Sequence, residues 1–212
     1  MLVVNWFNTI KSTHIYLVDE LKKGNISKPT LIGADFQTDG IGSRGNLWEG
    51  KVGNLFFSFC VEEKHLPKDL QLASISIYFA YLMKEVLSSY GSKTWLKWPN
   101  DFYIKNKKIG GVITTKVGDK IVSSMGINII DAPQNFDVLD IYVEPKKLVS
   151  DFLEIMKKNI SWKQVFSKYK IEFQNSKEYF FHLGGELKSL SQAKLCEDGS
   201  IELEKRRVYS LR

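Results

Sequence analysis

From Ser12 to Gly24 the chain reads STHIYLVDELKKG, with Ile15, Val18 and Leu21 at helical spacing and Ser12 or Thr13 placed to cap. This pattern predicts a short amphipathic helix that stops at the glycine. TLIGADF, ending at Phe36, reads as a strand, and Leu55 to Val61 alternates so that Leu55, Phe57, Phe59 and Val61 share one face. Residues 70 to 90 are apolar enough to predict a longer helix buried against a sheet and closed at Gly91. Three strands follow: TWLKW, then DFYIKNKKIGGVITTKV folding back at Asn106, then KIVSSMGINI after a turn at Gly118-Asp119. Residues 146 to 175 read as one helix or two. Beyond 178 the pattern is short strands, with EDGS as a turn and IELEKRRVYSLR as a last pair. Helices alternating with strands before a strand-rich tail define an α+β chain.

Composition narrows this picture. A length of 212 residues with 43% hydrophobic content supports one substantial domain and a small appendage. No repeat, linker or low-complexity tract divides it. The most apolar stretch, LASISIYFAYLM, is too short to span a bilayer before Lys84 and Glu85, and no secretory signal precedes it. A cytoplasmic location without membrane attachment is expected. Cys60 and Cys196 lack metal-ligand spacing to His14, His65 or His182, and read as buried free thiols. The net charge of +6 comes mainly from residues 145 to 212, where 14 Lys+Arg face 9 Asp+Glu. Those basic residues lie within helical and strand patterns and read as a solvated surface, although an acidic protein partner also fits. A non-enzymatic nucleic-acid-binding module stays open as the distant alternative, and it would bind in a salt-sensitive way.

Within QTDGIGSRGNLWEGKVGN, residues 37 to 54, Gly40, Gly42 and Gly45 spell G-x-G-x-x-G. That spacing binds a dinucleotide when a helix begins inside it and offers its N-terminus to the pyrophosphate. Here Gly50 and Gly53 follow at once, and a strand comes next. The segment is therefore a glycine-rich loop between two strands, and Glu62 and Glu63 carry no ribose-binding meaning without the helix.

The chemistry concentrates further on. KWPND (97 to 101) sets a lysine, an amide and a carboxylate around a proline at the junction of two strands. KKIGG then places Lys108 seven residues beyond Asp101, before two glycines that admit a ligand to the backbone. Pro-Asn-Asp alone is an ordinary turn. In combination with Ser12-Thr13, Gln37, Trp48, GIN at 126 to 128 and the β-rich tail, KWPND and KKIGG resemble biotin protein ligase along nearly the whole chain. The resemblance implies a mixed β-sheet with helices packed on one side, spanning residues 1 to 176, and an SH3-like β-barrel from 177 to 212. It implies activation of biotin with ATP to biotinyl-5'-AMP, then transfer to a lysine of a biotin carboxyl carrier protein. Some family members carry an N-terminal DNA-binding domain; this chain begins at the catalytic domain, so no operator binding is expected. A homodimer is compatible, and the sequence leaves the oligomeric state open.

The family's roles map onto particular positions. Ser12, Thr13 and Gln37 match residues that bind biotin's ureido ring, completed by the backbone at Ile41 and Gly111 and by Gly42 and Ser43 of the loop. From local sequence alone Ser12 and Thr13 read first as helix caps. Lys108 matches the lysine bridging the biotin carboxylate and the α-phosphate, and is the leading catalytic candidate. Lys97, Asn100 and Asn128 match positions near the phosphates and Mg²⁺, with Asn128 the candidate metal contact. Lys97 also fits a surface strand and Asn128 a turn. Asp101 matches the motif's carboxylate, able to orient the acceptor amine or take its proton. Gly40 and Trp48 belong with the adenylate, Trp48 by stacking on adenine. His14 stands where the family often has Asn and reads as a surface imidazole. Many members begin the loop with Gly-Arg-Gly-Arg, where this chain has Ile41 and Ser43, so Arg44 is expected to supply the missing phosphate grip and its loss to leak the intermediate. A lipoate-attaching ligase of related fold is the nearest alternative.

Overall fold

The structure is a computed structural model and describes residues 2 to 43 and 46 to 209. Its centre is a seven-stranded sheet. The strands are β1 (Val3–Ile10), β2 (Thr30–Gln37), β5 (Leu55–Glu62), β6 (Trp95–Lys97), β7 (Asp101–Ile104), β8 (Lys107–Val117) and β9 (Lys120–Ile127), in the order β1-β2-β5-β9-β8-β7-β6. Only β1 and β2 run parallel, joined by helix α1 (Thr13–Lys22) as the crossover. The other neighbours are antiparallel. A two-residue pair, β3 (Gly40–Ile41) with β4 (Leu47–Trp48), folds the glycine loop back on itself.

Three longer helices, α2 (Ile75–Ser89), α3 (Pro145–Lys157) and α4 (Trp162–Ser176), cover one side of the sheet. Phe57 and Phe59 of β5 meet Phe79 of α2 and Phe152 of α3 there, with Phe59 and Phe79 edge-to-face at 4.9 Å. The short α1 lies on the opposite face, where Leu17 and Val18 pack on Ile32, Cys60 and Val122. Cover on both faces explains why every residue from Leu55 to Cys60 is buried and the expected alternation of β5 vanishes.

On α1 one expectation changes and one alternative closes. Its buried residues are Thr13, His14, Leu17 and Val18, while Ile15 is 42% exposed, so the inward face is rotated from the Ile15-Val18-Leu21 stripe. Ser12 is the cap. The strand β1, which the pattern does not announce, is an edge strand exposed at most positions; Trp6 anchors it by lying over Gly33 of β2 and donating to Asp35 Oδ1 at 2.6 Å. A Cβ on Gly33 would sit 2.1 Å from the Trp6 ring.

Beyond α4 the chain forms two small antiparallel sheets. One pairs β10 (Phe180–Leu183) with β11 (Glu186–Ser189); the other orders β12 (Lys194–Leu195), β13 (Ile201–Leu203) and β14 (Arg206–Val208). Among the described residues these pairings do not close into a barrel. Three successive carbonyls of the EDGS turn are held from the larger body: Trp162 Nε1 donates to Glu197 O, Ser74 Oγ to Asp198 O and Trp98 Nε1 to Gly199 O. Cys60 is buried and its thiol pKa pushed up by that burial, whereas Cys196 is half-exposed rather than buried.

Candidate functional site: a cleft between two charged and amide-lined ends

The hairpin β7–β8 builds the charged end. Asp101 pairs with Gly111 and Phe102 with Gly110, but Tyr103 pairs with Lys108, so Ile109 has no partner. Strict alternation along β8 would put Lys108 and Gly111 on opposite faces. The extra residue of this bulge re-aims Lys108 onto the face of Asp101. Lys108 Nζ lies 2.7 Å from Asp101 Oδ1, and Lys97, paired across β6–β7 with Asp101, holds its Nζ 3.9 Å from Oδ2. Lys97 is buried, with its ammonium over the Tyr103 ring, and is not a surface strand residue. Gly111 leaves room beside the pair: a Cβ there would stand 3.2 Å from Asp101 Oδ1 and 3.5 Å from Lys108 Nζ. Asn100 is buried and spends its amide on bracing the hairpin, donating Nδ2 to Val112 O.

The amide end is built on α1 and β2. Gln37 Oε1 accepts from both Thr13 N at 2.8 Å and Thr13 Oγ1 at 3.0 Å. Ser58 donates to Thr13 Oγ1 and Ser124 to Ser58, so β5 and β9 extend this contact beneath the cleft. His14 is buried, not at the surface: its Nδ1 lies 2.7 Å from Ser124 Oγ and its Nε2 3.0 Å from Thr115 Oγ1. Burial alone lowers its pKa from 6.5 to about 4. Sequence reading missed Ser58, Ser124 and Thr115. The signal available was Ser58 within LFFSFC and Ser124 within IVSSMG, polar side chains inside strands otherwise too apolar to face water.

Between these ends lies a cleft. Ser12, Thr13, Gln37, Ile41, Gly42, Ser43, Trp48, Asn100, Asp101, Lys108 and Gly111 all line it. Trp48 roofs it, edge-on to Phe136 and with Lys108 Nζ 5.9 Å from its ring centre. Its Nε1 is buried with no hydrogen-bond partner among the described residues. Gly126 admits the indole, since a Cβ there would lie 2.7 Å from Nε1. Trp48 and Gln37 also border a second, wider recess lined by Gly40, Glu49, Lys51, Asn128 and Phe136. Asn128 reaches that recess rather than the first. It is fully buried, its Oδ1 accepting from Asn54 and its Nδ2 donating to Asp137 O. Arg44 and its expected phosphate grip lie outside the described residues.

These features meet three comparisons with known proteins. Residues 6–131 match the Biotin/lipoate A/B protein ligase family. The chain is 34% identical over 126 residues to the bifunctional ligase/repressor BirA of Escherichia coli, a match covering 56% of this chain and 38% of BirA. It thus spans about two fifths of the curated relatives it matches. Its fold superposes with a TM-score of 0.94 on the biotin acetyl coenzyme A carboxylase synthetase of Helicobacter pylori, solved with bound biotinylated ATP; identity is 39%, covering 99% of this chain and 100% of that one. The Aquifex aeolicus biotin protein ligase, solved with biotin and ATP, has the same fold at 24% identity and a TM-score of 0.78, covering 99% and 96% of the two chains. The chain belongs to the biotin/lipoate A/B protein ligase family.

Proposed function

We propose that this protein activates biotin with ATP and attaches it to a lysine of a biotin carboxyl carrier protein. The observation that carries this reading is one cleft with the Lys108–Asp101 pair at one end and the Thr13–Gln37 amide at the other. Biotin matches that polarity, having a urea at one end and a carboxylate at the other.

In the first step a carboxylate oxygen of biotin attacks the α-phosphorus of ATP, and the bond to pyrophosphate breaks. Two anions meet, so the barrier falls where preorganised cations face the developing charge. Lys108 stands there, held by Asp101, with Lys97 behind it. The adenosine extends into the second recess past Trp48, and the β3–β4 loop, with Ile41, Gly42 and Ser43 against the cleft, screens the mixed anhydride from water. In the second step the acceptor amine attacks the biotinyl carbonyl, AMP departs with the bonding electrons, and the amine sheds a proton. Its free pKa is about 10.4, so a carboxylate at Asp101 that orients or deprotonates it lowers the cost.

Mg²⁺, when bound, neutralises the phosphates. Among the described residues no three carboxylate, imidazole or thiolate side chains converge on a metal site, and Asn128 is fully buried with its Oδ1 already accepting from Asn54. The ion is therefore assigned to the nucleotide's own phosphates.

Incubation with ATP, biotin and a purified carrier domain tests the reading. The acceptor should gain one biotinyl group on a single lysine, with one AMP and one pyrophosphate released per transfer. An unmodified acceptor, or one modified only when lipoate replaces biotin, would reject it.

A further inference from the structure

Six side chains beneath the cleft form one hydrogen-bonded row, and its direction can be worked out from a fixed end. The backbone N–H of Thr13 donates to the Gln37 side chain, so the Gln37 atom facing it is the carbonyl Oε1. An amide oxygen has no proton to give, and the Thr13 hydroxyl, 3.0 Å away, must donate to it. Thr13 has then spent its one proton, so Ser58 must donate to Thr13 at 2.8 Å, and Ser124 to Ser58 at 2.6 Å. Ser124 likewise has nothing left for His14. The 2.7 Å contact between Ser124 Oγ and His14 Nδ1 therefore requires a proton on Nδ1. Burial keeps the ring neutral, which leaves Nε2 bare to accept from the Thr115 hydroxyl at 3.0 Å.

We propose that His14, as a neutral imidazole protonated on Nδ1, is a positioning residue that completes the donor–acceptor order begun at the Thr13 N–H, keeping the Thr13 hydroxyl committed to Gln37 Oε1 and so steadying the amide whose NH₂ donates to the ligand. The inference rests on the biotin reading for the ligand's identity, and on the row alone for the tautomer. A ring protonated on Nε2 would accept from Ser124 at Nδ1 and take the Ser124 proton away from Ser58. Ser58 would lose its donor, and the row would no longer be locked toward Gln37. Ser58 and Thr13 could then reverse their hydroxyls, leaving Gln37 Oε1 with the Thr13 N–H alone and the amide held less firmly. Such a pocket would bind biotin less tightly, because a buried amide that loses one of its partners is less well satisfied and less well placed.

The tautomer is read directly in the ligand-free protein from the ¹⁵N shifts and couplings of the His14 ring between pH 6 and 8. Protonation on Nδ1 alone is expected; an Nε2–H or a charged ring overturns the proposal. Two substitutions then test the consequence. His14→Asn keeps a nitrogen donor near Nδ1, and His14→Gln moves the amide out to the Nε2 position. KM for biotin should stay within about threefold in His14→Asn and rise by about tenfold or more in His14→Gln, with kcat and the KM for ATP unchanged in both. Equal effects of the two, or losses confined to kcat, contradict the role. If His14→Gln does not fold, the tautomer and the Asn variant still decide it. A wild-type protein that shows the Nδ1–H ring yet binds no biotin would overturn the biotin reading and the ligand half of this inference, leaving the tautomer half standing.

Discussion

Asp101 Oδ1 lies 2.7 Å from Lys108 Nζ, and the two share a face because β8 carries one residue, Ile109, without a partner in β7. The bulge brings the charge, and the glycines after it keep the space beside it open. Because both side chains are partly exposed, the ion pair adds no more than about 1 kcal/mol to stability. Lys108→Ala should therefore fold normally, as a thermal melt will show. Its rate of biotinyl-adenylate formation should nevertheless fall by at least ~100-fold, the scale of losing a preorganised electrostatic contact. A folded variant with near-normal adenylation would remove Lys108 from the chemistry.

The Thr13–Gln37 contact predicts a different phenotype. Thr13→Val and Gln37→Leu should each weaken biotin binding by about 1–3 kcal/mol, because the urea's polar atoms would be buried without partners. ATP affinity should change little. Calorimetry giving wild-type biotin affinity in both variants would place the ring elsewhere.

Gly126 and Trp48 make a third test. Since an alanine Cβ would lie 2.7 Å from Trp48 Nε1, Gly126→Ala must push the indole away from β9. The expected outcome is a severalfold higher KM for ATP, with faster loss of adenylate to hydrolysis in the absence of carrier. Unchanged nucleotide KM and adenylate lifetime would show that Trp48 is not the cover assigned to it.

His14 makes stability depend on pH in a stated direction. Its pKa is about 4 in the fold and 6.5 when exposed, so the unfolded chain binds the extra proton between these values. Stability from this group is fully present above pH 6.5 and is lost as pH falls toward 4. The loss amounts to about 3 kcal/mol at 1.36 kcal/mol per unit. Denaturant titrations of wild type and His14→Asn from pH 7 to 4 will isolate it: the wild type should lose more stability than the variant across that window. Parallel curves would mean the imidazole is not held neutral by burial.

Much of this architecture was legible because it follows from periodicity and turn chemistry. The helix at α2, the fold-back at Lys105-Asn106, the turn at Gly118-Asp119 and the paired helices α3 and α4 all stand where their patterns put them. What escaped depends on neighbours distant in sequence. The inward face of α1 is set by Ile32, Cys60 and Val122 on strands that one helix's own spacing does not reveal. His14 is buried because Ser124 and Thr115, over a hundred residues away, offer it partners. The bulge at Ile109 is invisible in KKIGG, since nothing local says which residue of β7 faces Lys108. KWPND and KKIGG nevertheless named the charged end of the cleft, and Ser12, Thr13 and Gln37 the amide end: Asn100, Asp101, Lys108 and Gly111 line one space with those three.

The central claim is that this cleft activates biotin, and pyrophosphate exchange tests it without any carrier. With the purified protein, labelled pyrophosphate should enter ATP only when biotin is added, lipoate should neither substitute nor compete, and Lys108→Ala should abolish the signal. Exchange that requires lipoate, proceeds without biotin, or fails with both would contradict the account.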